Sequence, residues 1–391
     1  MIRKKLLILL SFFILQLFAQ EDENEYSQYD LSILTIGPGN SLSDAFGHSG
    51  IRVIDKINNY DIVFNYGVYD YNAPNFYGNF VKGRPIYSLG LNNFENFYKN
   101  YVNQSRQIIE QKLNLSKNQK RIIVNKLITN SKEANKFYEY NYFDDNCSTK
   151  IADIFNEILL EEGVAFYSSD SSPNTYRKLI YENINQNSWG ALGIDICLGA
   201  IIDEKIEYQN KLFLPYNLKS YFNDLGNSNI RNGNLVTTSV LFGEYSKYRE
   251  TFISPTYLLI ILSLIIISIT YLDYLKRTRS KLLDIFILLP TGTIGLLLVY
   301  LWFFSNHTAS AWNYNLLWAL PFNLILLIEL LKKNQKKWVI SYLKLILIFL
   351  FLMCLHWVGG VQVFNISLIS LILALMIRYF YLIRYFTNSV R

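Results

Sequence analysis

Apolar positions divide the chain into three regimes. Residues 6–18 form a predominantly apolar run behind Arg3, Lys4 and Lys5. That is the layout of an export signal, a positive leader followed by a hydrophobic stretch of about 7–15 residues. The predicted signal occupies residues 1–19, with Ala19 as the last residue before cleavage and Leu17 where a small residue is more usual. Residues 20–254 mix apolar and polar positions as a globular domain does. From Pro255 onward apolar runs dominate, at residues 255–271, 282–304, 316–331, 338–355 and 361–382. Each is near the roughly 20 residues that cross a hydrocarbon core. The third is short and contains Pro321, so Trp312 and Tyr314 would have to extend it at the interface. The pattern predicts a transmembrane domain of about five helices over residues 255–391.

Charge then sets the orientation. Lys276, Arg277, Arg279 and Lys281 follow the first run, and Lys332, Lys333, Lys336 and Lys337 follow the third. Arg378, Arg384 and Arg391 lie near or beyond the end of the fifth, while the loops at 305–315 and 359–360 carry no Lys or Arg. All three basic segments fall on the cytoplasmic side if residues 20–254 are exported. The signal demands the same arrangement, with the C-terminus cytoplasmic. The net charge of +6 is therefore a topology signal and excludes a nucleic-acid partner. The 51% hydrophobic content of the 391 residues follows from the membrane runs.

Within the exported region, residues 31–36 read as a short strand ending at the turn Gly37-Pro38-Gly39. Residues 46–54 and 61–69 alternate as a hairpin across a polar turn at 56–59. Ser116 and Gln119 have capping-box spacing ahead of Ile122, Ile123 and Leu127. A second helix begins in Asp144-Asp145-Asn146-Cys147-Ser148-Thr149, where Asn146 is a good N-cap. Ile151, Ile154, Phe155, Ile158 and Leu159 then form one apolar face. Cys147 falls in the first turn, where unpaired N–H groups and the helix dipole favour a thiolate. The backbone N–H groups that follow it could hold an oxyanion. The competing reading is a small buried cysteine beside a capping Asn.

Of three histidines, only His48 belongs to the exported domain, in Phe46-Gly47-His48-Ser49-Gly50. A hairpin register in which paired residue numbers sum to 113 puts Arg52 opposite Asp61, Ile51 opposite Ile62 and Val53 opposite Tyr60. It also sets His48 opposite Asn65, whose carbonyl would fix the imidazole tautomer. A slip of two residues would offer Val63 or Gly67 instead. Cys147 and Cys197 could form a disulfide in an exported domain, although Cys197 sits in an apolar stretch that reads as buried. No close Cys/His cluster suggests a metal, and Gly37-Pro38-Gly39 lacks the Lys and helix of a phosphate-cradling loop. No cofactor is expected. The outer loop 305–315 holds Asn306, His307, Asn313 and Asn315 without a charged residue. It reads either as a binding site for a phospholipid headgroup or as a solvated loop.

Leu34-Thr35-Ile36-Gly37-Pro38-Gly39, Phe46-Gly47-His48, Phe64-Asn65-Tyr66-Gly67, Pro74-Asn75-Phe76-Tyr77, Asp145-Asn146-Cys147 and Phe213-Leu214-Pro215 occur in this order. Together they resemble the Lnb N-terminal periplasmic domain family, the Bacteroides-type lipoprotein N-acyltransferases. The resemblance runs over residues 31–218, and the stretch from His307 to Pro321 resembles the membrane part of those proteins. It implies an α+β, permuted papain-like (NlpC/P60-related) domain, His before Cys as in lecithin:retinol acyltransferase, followed by an all-α bundle in the bacterial inner membrane. It implies Cys147 and His48 as the catalytic pair; Asn65 comes from the hairpin register alone.

The resulting expectation is an acyltransferase with a phospholipid donor and a lipoprotein acceptor. Residues 20–254 would be its periplasmic catalytic domain, with Cys147, His48 and Asn65 catalytic and Asn306, His307 and Asn313 binding substrate. The alternative is a membrane-anchored cysteine hydrolase acting on peptidoglycan or peptides, for which a single anchor would suffice. A third reading, a non-catalytic sensor or scaffold, would leave Cys147 and His48 dispensable.

Overall fold

The computed structural model describes residues 28–161, 174–227, 236–248 and 253–389. The predicted signal at 1–19 lies outside the described residues. Among the described residues the N-terminal domain has nine strands: β1 (Tyr29–Ile36), β2 (His48–Asp55), β3 (Tyr60–Val68), β4 (Ile86–Asn93), β5 (Ile108–Leu113), β6 (Phe137–Glu139), β7 (Asn174–Thr175), β8 (Lys205–Ile206) and β9 (Val236–Phe242). Seven of them form one sheet in the order β6-β4-β3-β2-β1-β5-β9, each neighbour antiparallel. Its helices are α1 (Phe76–Val81), α2 (Phe94–Asn103), α3 (Lys117–Ser131), α4 (Cys147–Glu161), α5 (Tyr176–Asn183), α6 (Trp189–Cys197) and α7 (Pro215–Asn227).

The alternation of the strands sorts two cores. Leu31, Ile33, Ile51 and Val53 face one side, against Ile123 and Leu127 of α3, Ile151, Ile154, Phe155 and Ile158 of α4, and Leu218 and Phe222 of α7. Leu34, Ile36 and Ile108 face the other side, with Phe97 and Tyr101 of α2. The capping box is formed, with the Ser116 and Gln119 side chains each accepting from the other's backbone N–H. Of the predicted apolar face of α4, the Leu159 side chain lies outside the described residues, and Ile151, Ile154, Phe155 and Ile158 are at 3% exposure or less. Each such side chain contributes up to about 1.5–3 kcal/mol by leaving water. That burial holds the N-terminal turn of α4 against the sheet.

The β2–β3 register differs from expectation by two residues. Ile51 pairs with Phe64, Arg52 with Val63 and Ile54 with Asp61. Arg52 nevertheless bonds Asp61 through Nε (2.8 Å) and Nη2 (2.6 Å). A two-residue slip keeps both side chains on one face, and a diagonal pair lies within reach of a long side chain.

The C-terminal region contains α8 (Pro255–Lys276), α9 (Lys281–Phe303), α10 (Asn323–Leu331), α11 (Trp338–Val358) and α12 (Leu368–Ser389). Four of these are long and apolar enough to cross a membrane. The third predicted span is not one helix. Its α10 has nine residues, about 13 Å at 1.5 Å per residue, and irregular backbone precedes it. The segment still runs from one end of the bundle to the other. Asn306 N–H donates to Lys82 O of the N-terminal domain (2.8 Å), while Leu330 O accepts from Arg279 Nη2 at the α8–α9 turn (2.6 Å). Asn315, Trp318 and Ala319 are buried within the bundle, the condition under which non-helical backbone is tolerated at membrane depth. Arg378, read from sequence as a basic flank, is instead fully buried between Asp273 and Asp284, each 2.7 Å away.

Candidate active site

Gly47 shapes the entry to β2. Its φ is +81°, and a Cβ there would lie 2.5 Å from Ile36 O. Only glycine accommodates both the left-handed backbone and that approach. The next residue, His48, opens the strand. Its Nε2 is 2.6 Å from Asn65 Oδ1, and Asn65 Nδ2 donates to Asn92 Oδ1 (3.2 Å). The second bond orients the amide, so its oxygen faces the ring and Nε2 carries the proton. Between Asn65 and Val68 the β3–β4 register shifts, an irregularity of the kind that re-aims side chains beside sites.

Cys147 is the first residue of α4 and is 9% exposed. Asn146, buried beside it, caps the helix: Oδ1 accepts from Ser148 N (2.7 Å) and Thr149 N (3.0 Å). Its Nδ2 donates to Tyr142 O and Phe213 O, each at 2.8 Å. One amide side chain thus ties the helix start to two other segments. The expectation that the N–H groups after Cys147 would hold an oxyanion is corrected, because Asn146 occupies those of Ser148 and Thr149. The amide of Cys147 itself, the first of the helix, has no intrahelical carbonyl to serve it.

The thiol and the His48 ring face the same cavity and each shifts the titration of the other. With Nε2 engaged by Asn65, Nδ1 is the ring nitrogen free to take a proton. Burial pushes the thiol up, but the charge and hydrogen bond of His48, the Ser49 amide and the Ser148 hydroxyl outweigh it, and the thiol ends below its ordinary value. Burial pushes the imidazole down, yet Cys147 and Asn65 outweigh burial and the Arg106 charge and hold it above its ordinary value. Both directions favour a thiolate–imidazolium pair.

The cluster opens into a cavity of about 690 Å³, within the size range of small-molecule sites. Phe46, Tyr87, Phe143 and Phe213 supply much of its wall, and residues 306–309 of the C-terminal region supply another part. Asn306 and His307 therefore reach the cavity, but their groups are engaged in joining the two regions. His307 Nε2 is 2.9 Å from Phe80 O. Asn306 oriented by its partners turns its amide oxygen to Arg84 Nε (2.7 Å). Asn313, predicted to bind substrate, is away from the cavity. It is 1% exposed and donates to Ile196 O (2.8 Å) and Cys197 O (3.1 Å), so it anchors α6 to the bundle. All three cysteines are free, which removes the disulfide alternative.

Sequence reasoning missed Asn92, Tyr142 and Arg106. Asn92 is visible only once β4 is paired to β3. Tyr142 and Arg106 line the cavity, and each carries a buried polar atom, the hydroxyl and Nη2, that has no partner among the described residues. No local pattern announces a group whose distinction is an unmet hydrogen bond.

A mixed α/β domain with a Cys/His/Asn cluster, seated on a helical bundle that walls its cavity, defines a membrane protein with a candidate cysteine-based site. The chain belongs to the Lnb family: the Lnb N-terminal periplasmic domain matches residues 19–182 and the Lnb transmembrane domain matches residues 247–389. These matches make it an inner-membrane protein with a periplasmic N-terminal domain, and point to a lipoprotein-processing membrane enzyme. No curated protein and no solved structure matches the chain.

Proposed function

We propose that the protein is a lipoprotein N-acyltransferase with Cys147 as nucleophile, His48 as base and Asn65 as the residue that orients the base. In this reading the domain at residues 20–254 is a permuted papain-like unit in the periplasm, and the C-terminus is cytoplasmic. The carrying observation is that Cys147, His48 and Asn65 meet in a cavity partly walled by the membrane region.

The thiol proton passes to His48. The thiolate attacks an ester carbonyl of a phospholipid, and the Cys147 amide is positioned to donate to the resulting oxyanion. Collapse breaks the ester bond. The departing alkoxide takes the proton from His48 and leaves as lysophospholipid, and the acyl chain stays as a Cys147 thioester. The neutral α-amine of a diacylated lipoprotein then attacks. His48 accepts the amine proton, the carbon–sulfur bond breaks, and the thiolate recovers a proton. The net products are an amide and a lysophospholipid, with no cofactor consumed.

The aromatic walls and the contribution of residues 306–309 favour lipid substrates over peptidoglycan or peptides. The test is a reconstitution of the full chain in vesicles with a phospholipid labelled in its acyl chains and a diacylated lipopeptide. Lysophospholipid and triacylated lipopeptide should appear together and depend on Cys147. Lipopeptide or peptidoglycan cleavage without acyl transfer would establish the hydrolase instead.

A further inference from the structure

One charged group in the cavity has no part in the scheme above. Arg106, just before β5, is 3% exposed and lines the same cavity as His48 and Cys147. Its Nε donates to Gly37 O (2.9 Å), and its Nη1 to Asp44 Oδ1 (3.1 Å) and Gln104 Oε1 (3.4 Å). Its guanidinium carbon lies 4.9 Å from the centre of the Tyr101 ring. Nη2 is buried without a hydrogen-bond partner among the described residues. A buried unpaired donor costs about 1–3 kcal/mol, more when charged, and a guanidinium does not shed its proton to escape that cost. The nearby carboxylate neutralises it only in part: the Asp44 side chain is 41% exposed, and its other oxygen accepts from Ser41 Oγ. The cavity wall thus holds a buried cation with one donor unmet, beside aromatic residues and within electrostatic reach of His48.

We propose that Arg106 is the donor-positioning residue, its Nη2 binding the phosphate of the phospholipid so that the glycerol ester lies against Cys147. A guanidinium is suited to phosphate by its planar set of donors and permanent charge. The same charge disfavours the protonated acceptor amine at this position, so it distinguishes donor from acceptor. The inference rests on the acyl-transfer reading.

The test compares two acyl donors on the full-length protein in neutral detergent, following thioester formation on Cys147 in single turnovers. One donor is a phospholipid; the other is a neutral acyl ester without phosphate. Arg106→Gln should lower kcat/KM for the phospholipid by about 10- to 100-fold, the worth of a charge-assisted hydrogen bond, mostly through KM. The neutral ester should lose far less, its change limited to what removal of the Arg106 charge does to His48. Arg106→Lys, which keeps the charge but loses the fork, should recover part of the loss. Equal loss with both donors would reduce Arg106 to a structural brace, and an unchanged phospholipid rate would remove it from the site; either overturns the proposal. Inorganic phosphate should compete weakly. If it abolishes the preference for phospholipid over neutral ester, the site is one for free anions and the assignment fails. A wild-type enzyme that accepts the neutral ester but never the phospholipid would overturn the acyl-donor reading itself, a result separable from any effect of Arg106.

Discussion

His48 Nε2 and Asn65 Oδ1 are 2.6 Å apart although the register that pairs Ile51 with Phe64, continued to the strand end, sets Gly67 opposite His48. The bond is therefore diagonal. It survives because residues two apart share a face, and because Asn92 holds the amide with its oxygen toward the ring. Asn65→Ala should lower single-turnover acylation by on the order of 10-fold, the worth of one orienting hydrogen bond. It should leave the Cys147 thioester chemically competent. An unchanged rate would remove Asn65 from the site.

Cys147→Ser should reduce acyl transfer to background while leaving protein abundance near normal. His48→Ala should be comparably inactive. The double variant should be no worse than either single change, because residues that act as one unit are not additive. Wild-type acylation by the Ser variant would rule out a thioester intermediate.

The paired shifts at Cys147 and His48 make a pH prediction. The thiol lies below its ordinary value and the imidazole above its own. Iodoacetamide should therefore alkylate Cys147 at pH values where an ordinary thiol is protonated. The rate should fall on the acid side as the thiolate takes up its proton. In His48→Ala the charge and hydrogen bond that lower the thiol are gone while burial remains, so the profile should move toward alkaline pH. An identical profile in the variant would show that His48 does not control the thiol.

Cys147 was legible because a capping Asn followed by an apolar stripe places it at a helix start, and both features are local. His48 was legible as the domain's single histidine. Asn65 was reached through a register that was wrong by two, and it remained in place because the error preserved strand parity. Asn313 was misplaced for the opposite reason: a polar residue in an outer loop reads the same whether it faces a ligand or, as here, the backbone of α6. The third membrane segment misled because apolar composition reports depth and not helicity. Its backbone is shielded by neighbouring helices, which the chain order alone does not reveal.

Asn146 offers a stability test with two arms. Asn146→Ala removes the cap and leaves the Ser148 and Thr149 amides and the Tyr142 and Phe213 carbonyls without this partner. Loss of a cap costs about 0.5–2 kcal/mol, and unsatisfied buried groups add to it. Asn146→Asp keeps an acceptor for the helix but loses both donors. Both should lower the melting temperature, the Ala variant by more if capping is the larger part. A smaller loss with Ala than with Asp would show that the buried carboxylate is the greater burden.

The seam between the two regions is the last point of test. Gly83 has a φ of +74°, and a Cβ there would lie 2.7 Å from His307 N and 2.8 Å from the Asn306 carbonyl carbon. The outer loop sits this close because Gly83 has no side chain. It is held by the Lys82 carbonyl on Asn306 N–H (2.8 Å) and by the Phe80 carbonyl at His307 Nε2 (2.9 Å). Gly83→Val combines a strained backbone with a clash against main chain that lacks a flexible end to move. It should displace residues 306–309 from the cavity wall. Acyl transfer from vesicle phospholipid should then fall by on the order of 10-fold or more, while alkylation of Cys147 by a small soluble probe continues. His307→Ala, which removes one seam contact without a clash, should have the same sign and a smaller size. Loss of probe labelling in either variant would report damage to the Cys147 site itself. Unchanged acyl transfer in Gly83→Val would show that the loop is not part of the lipid-binding wall.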